Sequence, residues 1–362
     1  MDSNKIRGCL FGGAIGDALG YQIEFVKGIT NKEYTKYKDD EGIISDDTQM
    51  TLFTANGLIW RETRLAMRGI APKIEDAVYY AYLDWLQTQE RDKINSSKTT
   101  WLKNVPELND QRAPGLTCLS ALSSGKIGTL KEQINDSKGC GGVMRVSPVG
   151  LYAKNPAIAG EIGAKVSAIT HGHIYSSLSS FLFSSLINII ANTDNSIEQS
   201  LKESLKLMES FFKSNKLCSK EDLENFLKIV YLAIDLSKKE MNDIDAIRLI
   251  GEGWIAEEAL AIALYSSLKY TDNFESVVVC AVNHDGDSDS TGAIAGNIIG
   301  EYLGYDKSPV YYIDNLELKD VILEIADDLS IPVPVSEYNT NNDKYWLSKY
   351  VSCERNANLR SN

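Results

Sequence analysis

The chain is short of several things that would mark other classes of protein. Its 362 residues include only three histidines, His171, His173 and His284, and eight prolines. The six cysteines, Cys9, Cys118, Cys140, Cys218, Cys280 and Cys353, are scattered, with no C-x-x-C pair. A chain this long buries a large core without staples, so they read as free thiols in a reducing compartment. The "THGH" segment offers H-x-H with no Cys or Glu nearby, which is poor zinc spacing, and His173 reads as an ordinary satisfied histidine. Basic residues are also scarce: 37 Lys and Arg against 50 Asp and Glu give a net charge of −13. With no basic patch interleaved with aromatics, general binding to nucleic acid is excluded, because that requires neutralising phosphates. No run of about 18 apolar residues is present, so no membrane span is expected. The apolar stretch in MDSNKIRGCLFGGAIGDALG is broken by Asp17 and by glycines, and it lacks the h-region of a signal peptide. These shortages lead us to expect a cytoplasmic protein.

Period-2 alternation is equally scarce, and helical spacing runs through most of the chain. After Asp47, the residues Met50, Phe53, Gly57 and Trp60 recur every three to four positions; after Ser290, so do Ile294, Ile298, Ile299 and Tyr302. Segments near 74–90, 156–169, 174–192, 196–215, 219–237, 256–269, 273–283 and 315–328 also read as helices. "RAPGLTCLSAL" (112–122) reads as a turn and a capped helix, and "PVYYI" (309–313) as a candidate extended piece. Pro106, Pro114 and Pro156 fall between helices, while Pro148 is placed either there or at a kink in a continuing helix. The stretch from about 92 to 115 is polar and loop-like. The expected fold is all-α, one compact multi-helix domain over 1–330 with long functional loops, and a tail over 331–362 that wraps its surface.

What the chain does have is oxygen concentrated at two helix starts. "ISDDTQMTLFTANGLI" places Ser45, Asp46, Asp47 and Thr48 before one helix, and "GDSDSTGAIAGNIIG" places Asp287, Asp289, Ser290 and Thr291 before another. Either cluster alone reads as an N-cap that complements the helix dipole. A cap needs one side-chain oxygen, however, and four crowd like charges that only a cation relieves. Hard oxygen donors select Mg²⁺, Ca²⁺ or Mn²⁺ over zinc. An EF-hand loop starting at Asp285 fails, because its sixth position is Ser290 and its twelfth Gly296. "GGAIGDALGYQIEF" adds Asp17 and Glu24 on a slim helix lined by Gly12, Gly13, Gly16 and Gly20. Taken alone, that segment reads as close helix packing with a surface glutamate. "SKGCGGVMRVSPVGLY" (137–152) is a glycine loop entering a helical pattern, which suits a phosphate, although no G-K-[ST] follows to make it a P-loop. No G-x-S-x-G elbow or Ser-His-Asp order is convincing.

In order, "GAIGDALGYQIEF", "SDDT", "GCGGVMRVSPVG", "TH", "GWIAEEALAIAL" and "GDSDSTGAIAGNIIG" resemble the ADP-ribosylglycohydrolase family across residues 8 to 303. Each motif is weak, and six in the right order are highly specific. The resemblance implies a compact all-α fold with two Mg²⁺ or Mn²⁺ ions. Their ligands by position would be Ser45, Asp46, Asp47, Asp287, Asp289 and Ser290. Glu24 matches the glutamate beside the metals; Gly139, Cys140, Gly141, Gly142 and Val143 match the loop holding the ADP-ribose diphosphate; His171 matches a ligand-pocket histidine. Trp254 falls where an aromatic can stack on the ligand. Cys140 departs from the polar residue, such as Asn, that many members carry there.

The implied reaction is hydrolysis at the ribose anomeric carbon, releasing ADP-ribose from a modified protein side chain. Asp47 or Glu24 would accept the proton of the attacking water. The serine in "GDSDS" leans toward arginine-linked over serine- or other O-linked substrates. The rival expectations are three. One is a protein that kept the fold without catalysis. Another is an immunity-type protein that occludes a toxin ADP-ribosyltransferase through its 92–112 loop or its tail. The last is a metal-dependent phosphohydrolase that cleaves the diphosphate.

Overall fold

A computed structural model describes residues 2–90 and 97–359. In chain order its helices are α1 (Ser3–Tyr21), α2 (Asp46–Arg68), α3 (Ile74–Gln89), α4 (Leu116–Ser123), α5 (Ser147–Tyr152), α6 (Pro156–Ala168), α7 (Ile174–Asn192) and α8 (Ile197–Asn215). There follow α9 (Lys220–Ser237), α10 (Asp243–Ile250), α11 (Ala256–Lys269), α12 (Phe274–Val282), α13 (Ser288–Leu303), α14 (Val310–Asp314), α15 (Lys319–Ser330) and α16 (Lys344–Tyr350). Among the described residues, extended pairing is confined to two isolated bridges, Gly42 with Leu316 and Gly139 with Ile255. The fold is all-α, as the periodicity predicts.

The helices expected at 174–192 and 256–269 coincide with α7 and α11, and most others agree within a residue or two. "PVYYI" is not extended: residues 310–314 form α14, and the buried Tyr312 donates its hydroxyl to Thr35 O at 2.6 Å. The helix expected from 315 begins only at Lys319, because Leu318 takes a left-handed φ of 60° and breaks the preceding turn. α4 starts after Gly115 with no side-chain cap. Pro148 sits in the first turn of α5, where its missing N–H costs nothing, so it starts a helix and kinks none. Part of the 92–115 stretch, residues 91–96, lies outside the described residues; beyond it Trp101, Leu102 and Leu108 are buried. The C-terminal segment contributes α16, whose Trp346 and Tyr350 join the main apolar core.

Two packing arrangements position the site. The first is the antiparallel crossing of α1 and α13. A Cβ built on Gly12 would lie 2.1 Å from Gly296 O, one on Gly16 would lie 1.9 Å from Gly292 O, and one on Gly20 would lie 2.1 Å from Ser288 O. Gly8 meets Gly300 in the same way. Only glycine lets the backbones come this close, and the four-residue repeat keeps one face of each helix bare.

The second arrangement is built on α7. This helix is long and apolar enough to cross a membrane, yet 89% of its apolar window is buried inside the protein. It carries hydroxyl and amide groups on one stripe. Ser180 donates to Gly142 O at 3.3 Å, Ser184 to Val146 O at 3.2 Å, and Asn188 to Gly150 O at 2.8 Å. That four-residue ladder gives a hydrogen bond to carbonyls of the glycine loop and of α5 that are buried against α7.

Candidate active site

The glycine crossing brings the C-terminal end of α1 against the start of α13. Asp17 and Glu24 therefore arrive beside Asp287 and Asp289. α2 completes the cluster, because the Asp17 carboxylate accepts the backbone N–H of Ser45 at 3.0 Å and of Thr48 at 3.0 Å. Asp17 thus caps α2 from another helix. Asp46, in turn, accepts Gly115 N–H at 3.2 Å, and its own N–H donates to Arg112 O.

Asp17, Glu24, Asp46, Asp47, Asp287 and Asp289 are all buried. Burial, and then the negative charge of Asp289, pushes Asp17 up to about 7 and Glu24 up to about 9. The same two causes raise Asp46, Asp47 and Asp287 well above the carboxylate range. Burial also raises Asp289. Asp289 is therefore the charge that all the others face. Six carboxylates pushing one another toward the neutral form are a place where a cation would be strongly held.

Ser45 Oγ accepts the N–H of Asp47 at 3.2 Å, and Asp287 Oδ1 accepts that of Ser290 at 3.3 Å, so both do cap their helices. Capping leaves oxygens over. Asp47 Oδ2 and Glu24 Oε2 are buried without a hydrogen-bond partner. Buried carboxylate oxygens normally find partners, so these two are available to an ion or a water. Among the described residues no three His, Cys, Asp or Glu side chains have the spacing of a preformed metal cage. The donor set itself, carboxylates with Ser45 and Ser290 at the edges, fits a hard divalent cation.

The glycine loop forms the opposite wall. Gly139, Gly141 and Gly142 lie on His171: Cβ atoms built on them would come within 3.4, 3.1 and 3.3 Å of its ring or Cβ. Val143 follows, fully buried. Cys140 Sγ donates to Asp287 Oδ2 at 2.7 Å, which ties the loop to the carboxylate cluster. Burial, then the Arg145 charge, lowers His171 to about 3, so its ring is neutral at ordinary pH. His173 caps α7 and His284 bonds Thr291, so both are structural.

Sequence reasoning gave no role to Arg145, which is fully buried. It donates to Thr170 Oγ1 at 2.6 Å, stacks over Tyr82 at 4.4 Å, and forms no ion pair among the described residues. Thr170 in turn meets His171 Nδ1 at 2.8 Å, so a fixed positive charge lies one residue behind the loop's histidine. No local pattern signals this, since "MR" sits in a run that reads as core. Trp254 is half-buried beside the loop, its carbonyl accepting the N–H of Cys140 at 3.2 Å. A surface cavity of about 700 Å³ beside Lys5, Thr193, Asp272 and Lys307 contains none of these residues.

Comparison with known proteins agrees with this architecture. An uncharacterised protein of Archaeoglobus fulgidus is 26% identical over 328 residues, covering 90% of this chain and 95% of that one. ADP-ribosylarginine hydrolase Tri1 of Serratia proteamaculans is 29% identical over 112 residues, 31% of this chain and 30% of its own. The ADP-ribosyl-[dinitrogen reductase] glycohydrolase of Rhodospirillum rubrum is 41% identical over 49 residues, 14% of this chain and 17% of its own. A solved ADP-ribosylglycohydrolase-related protein complex shares the fold, with a TM-score of 0.56 at 19% identity over 90% of this chain and 97% of that one. The family model described as ADP-ribosylglycohydrolase matches residues 2–338, and the chain belongs to that family.

Proposed function

We propose that this protein hydrolyses the bond between the ribose anomeric carbon of ADP-ribose and an arginine side chain of a modified protein, using two Mg²⁺ or Mn²⁺ ions. The observation that carries the reading is the convergence of two helix starts, far apart in sequence, on one buried carboxylate cluster facing a glycine loop. The arginine linkage is supported by the partial match to a relative named ADP-ribosylarginine hydrolase.

Ser45, Asp46, Asp47, Asp287, Asp289 and Ser290 would hold the ions. Bound there, such ions neutralise the carboxylates, bind ribose hydroxyls and acidify a water. The chain's own groups do the rest. The Gly139–Val143 backbone admits the diphosphate at close range, with the neutral His171 beneath it and the Arg145 charge behind. Asp47 Oδ2 or Glu24 Oε2, each free of other partners, accepts the proton of the attacking water. The water oxygen bonds to the anomeric carbon as the carbon–nitrogen bond breaks through an oxocarbenium-like state, and the proton taken from the water is returned to the departing guanidine, which leaves as guanidinium. The test is incubation with arginine- and serine-linked ADP-ribosyl proteins plus Mg²⁺, with product identification. ADP-ribose released from the arginine-linked protein is expected. Release from serine alone, or AMP as the product, overturns the proposal.

A further inference from the structure

Among the described residues Arg145 is the only fully buried arginine, and the reaction above uses nothing but its charge. Its Nη1 meets two soft acceptors, Met50 Sδ and Cys118 Sγ, each at 3.3 Å, and its Nε is buried with no partner. One oxygen serves it: Nη2 donates to Thr170 Oγ1 at 2.6 Å. Arginine has no acceptor and keeps its proton, so the direction of that bond is fixed.

That direction governs the bonds beyond it. The Thr170 hydroxyl has one proton and two lone pairs, and Arg145 takes a lone pair. Two neighbours compete for the proton, His171 Nδ1 at 2.8 Å and the Cys118 thiol. The imidazole nitrogen is much the stronger acceptor, and the sulfur already accepts from Arg145. The guanidinium charge selects the same outcome: a lone pair on Nδ1 is attracted toward it, whereas an N–H would aim its positive end at it. Burial and that charge also keep the ring neutral, so its one proton sits on Nε2. Nε2 faces the glycine loop. Cβ atoms built on Gly139 and Gly141 would lie 3.4 and 3.3 Å from it, so glycine at both positions leaves the N–H uncovered. Among the described residues the ring makes its hydrogen bond through Nδ1, which leaves Nε2 for a ligand.

We propose that Arg145 and Thr170 are positioning residues that lock His171 in its Nε2–H tautomer, so that the ring donates a hydrogen bond to the diphosphate of ADP-ribose in the glycine loop. This rests on the reading of the site as one that binds ADP-ribose. The lock matters because the other tautomer fails at the same place. A ring protonated on Nδ1 turns the Nε2 lone pair toward the phosphate oxygens, and repulsion replaces the bond. Arg145 touches no substrate; it acts by fixing which way the Thr170 hydroxyl points.

Two measurements test this. The first is the imidazole nitrogen NMR spectrum of the three histidines, with His171 assigned from its loss in His171→Asn. Wild type should show Nε2 protonated and Nδ1 bare. Thr170→Val removes the hydroxyl at nearly constant volume, and the His171 signals should move toward the average of the two tautomers. Thr170→Ser should return them; serine lacks the methyl group, so a packing role alone would not be rescued. Nδ1–H in wild type, or no shift in Thr170→Val, overturns the lock. The wild-type spectrum decides the tautomer even if Thr170→Val fails to fold. The second measurement is calorimetric titration with ADP-ribose in the presence of Mg²⁺. Thr170→Val should weaken binding about tenfold, the size of one hydrogen bond to a charged group, and Thr170→Ser should recover it. Equal affinities for wild type and Thr170→Val would mean that the ring donates to no phosphate, which overturns the proposal. The spectra need neither ligand nor metal ion. An Nε2–H ring that Thr170→Val unlocks, in a protein that binds no ADP-ribose, supports the lock and locates the failure in the reading of the site.

Discussion

The carboxylate of Asp17, on α1, accepts the backbone N–H of Thr48, at the start of α2, at 3.0 Å. A helix start is usually capped by the residue before it. Here the strongest capping acid comes from a different helix, so the orientation of α2 and that of Asp46 and Asp47 depend on α1.

Removing that acid should loosen the cluster. Asp17→Ala leaves the N–H groups of Ser45 and Thr48 buried without their acceptor and should cost on the order of 2–3 kcal/mol. Thermal unfolding of the two proteins measures it. An unchanged melting temperature would mean that water or Ser45 takes over the cap.

Asp287→Asn separates capping from ion binding. Asn caps about as well as Asp, so the start of α13 should hold. Turnover should nonetheless fall by orders of magnitude, because a charged ligand is lost. Chelation should abolish wild-type turnover and lower its melting temperature. Mg²⁺ or Mn²⁺ should restore both, and Zn²⁺ should do so poorly. Full activity of Asp287→Asn in chelator-treated buffer would leave the oxygens as caps alone.

Gly141→Val tests the glycine loop. A Cβ there would meet His171 Cε1 at 3.1 Å and Cys118 Sγ at 3.2 Å, and a branched side chain has no room to relax between two buried groups. Affinity for ADP-ribose should fall at least about tenfold with the helical circular dichroism signal intact. Calorimetric titration with ADP-ribose reads this directly.

Glu301 sets a pH dependence away from the site. It is fully buried on α13, with the Cys9 thiol as its hydrogen-bonding neighbour and Lys5 and Asp2 acting on it by charge. Burial pushes it up to about 8, above its unfolded value. The folded protein therefore keeps a proton that the unfolded chain gives up. Stability from this group is complete below the ordinary glutamate range, falls as pH rises toward 8, and is flat beyond. Wild type should melt several degrees lower at pH 8 than at pH 5, with the raised site carboxylates adding to the same fall, and Glu301→Gln should make that slope shallower. Parallel slopes for the two proteins would place the titration elsewhere.

Much of this was legible in the sequence because helices write their buried face every three to four residues. α7 and α11 are long, and their ends were read correctly. α10 and α16 were not read at all, since neither is long enough to repeat its pattern. The aromatic run of α14 is equally compatible with a strand until Tyr312 is seen bonded to Thr35. At the site, the two oxygen clusters announced themselves because each exceeds what a cap requires. The roles of Asp17 and Arg145 did not, because a cap supplied from another helix and a buried cation over Tyr82 exist only once distant segments have met. Glu24 read alone is a surface residue; in the structure it is buried and faces the charge of Asp289 on α13.

The glycine register between α1 and α13 also imposes an order in time. α1 leaves the ribosome long before α13, and until then its bare face has nothing to receive it. Without Asp289 there is no common charge for Asp17, Asp46 and Asp47 to face, and α2 is capped with no partner for its acids. A nascent chain that has not yet made Ser288–Leu303 can therefore build local helices but not the carboxylate cluster. Assembly of the candidate site becomes a late event of synthesis, completed when the last glycine-bearing helix docks on the first.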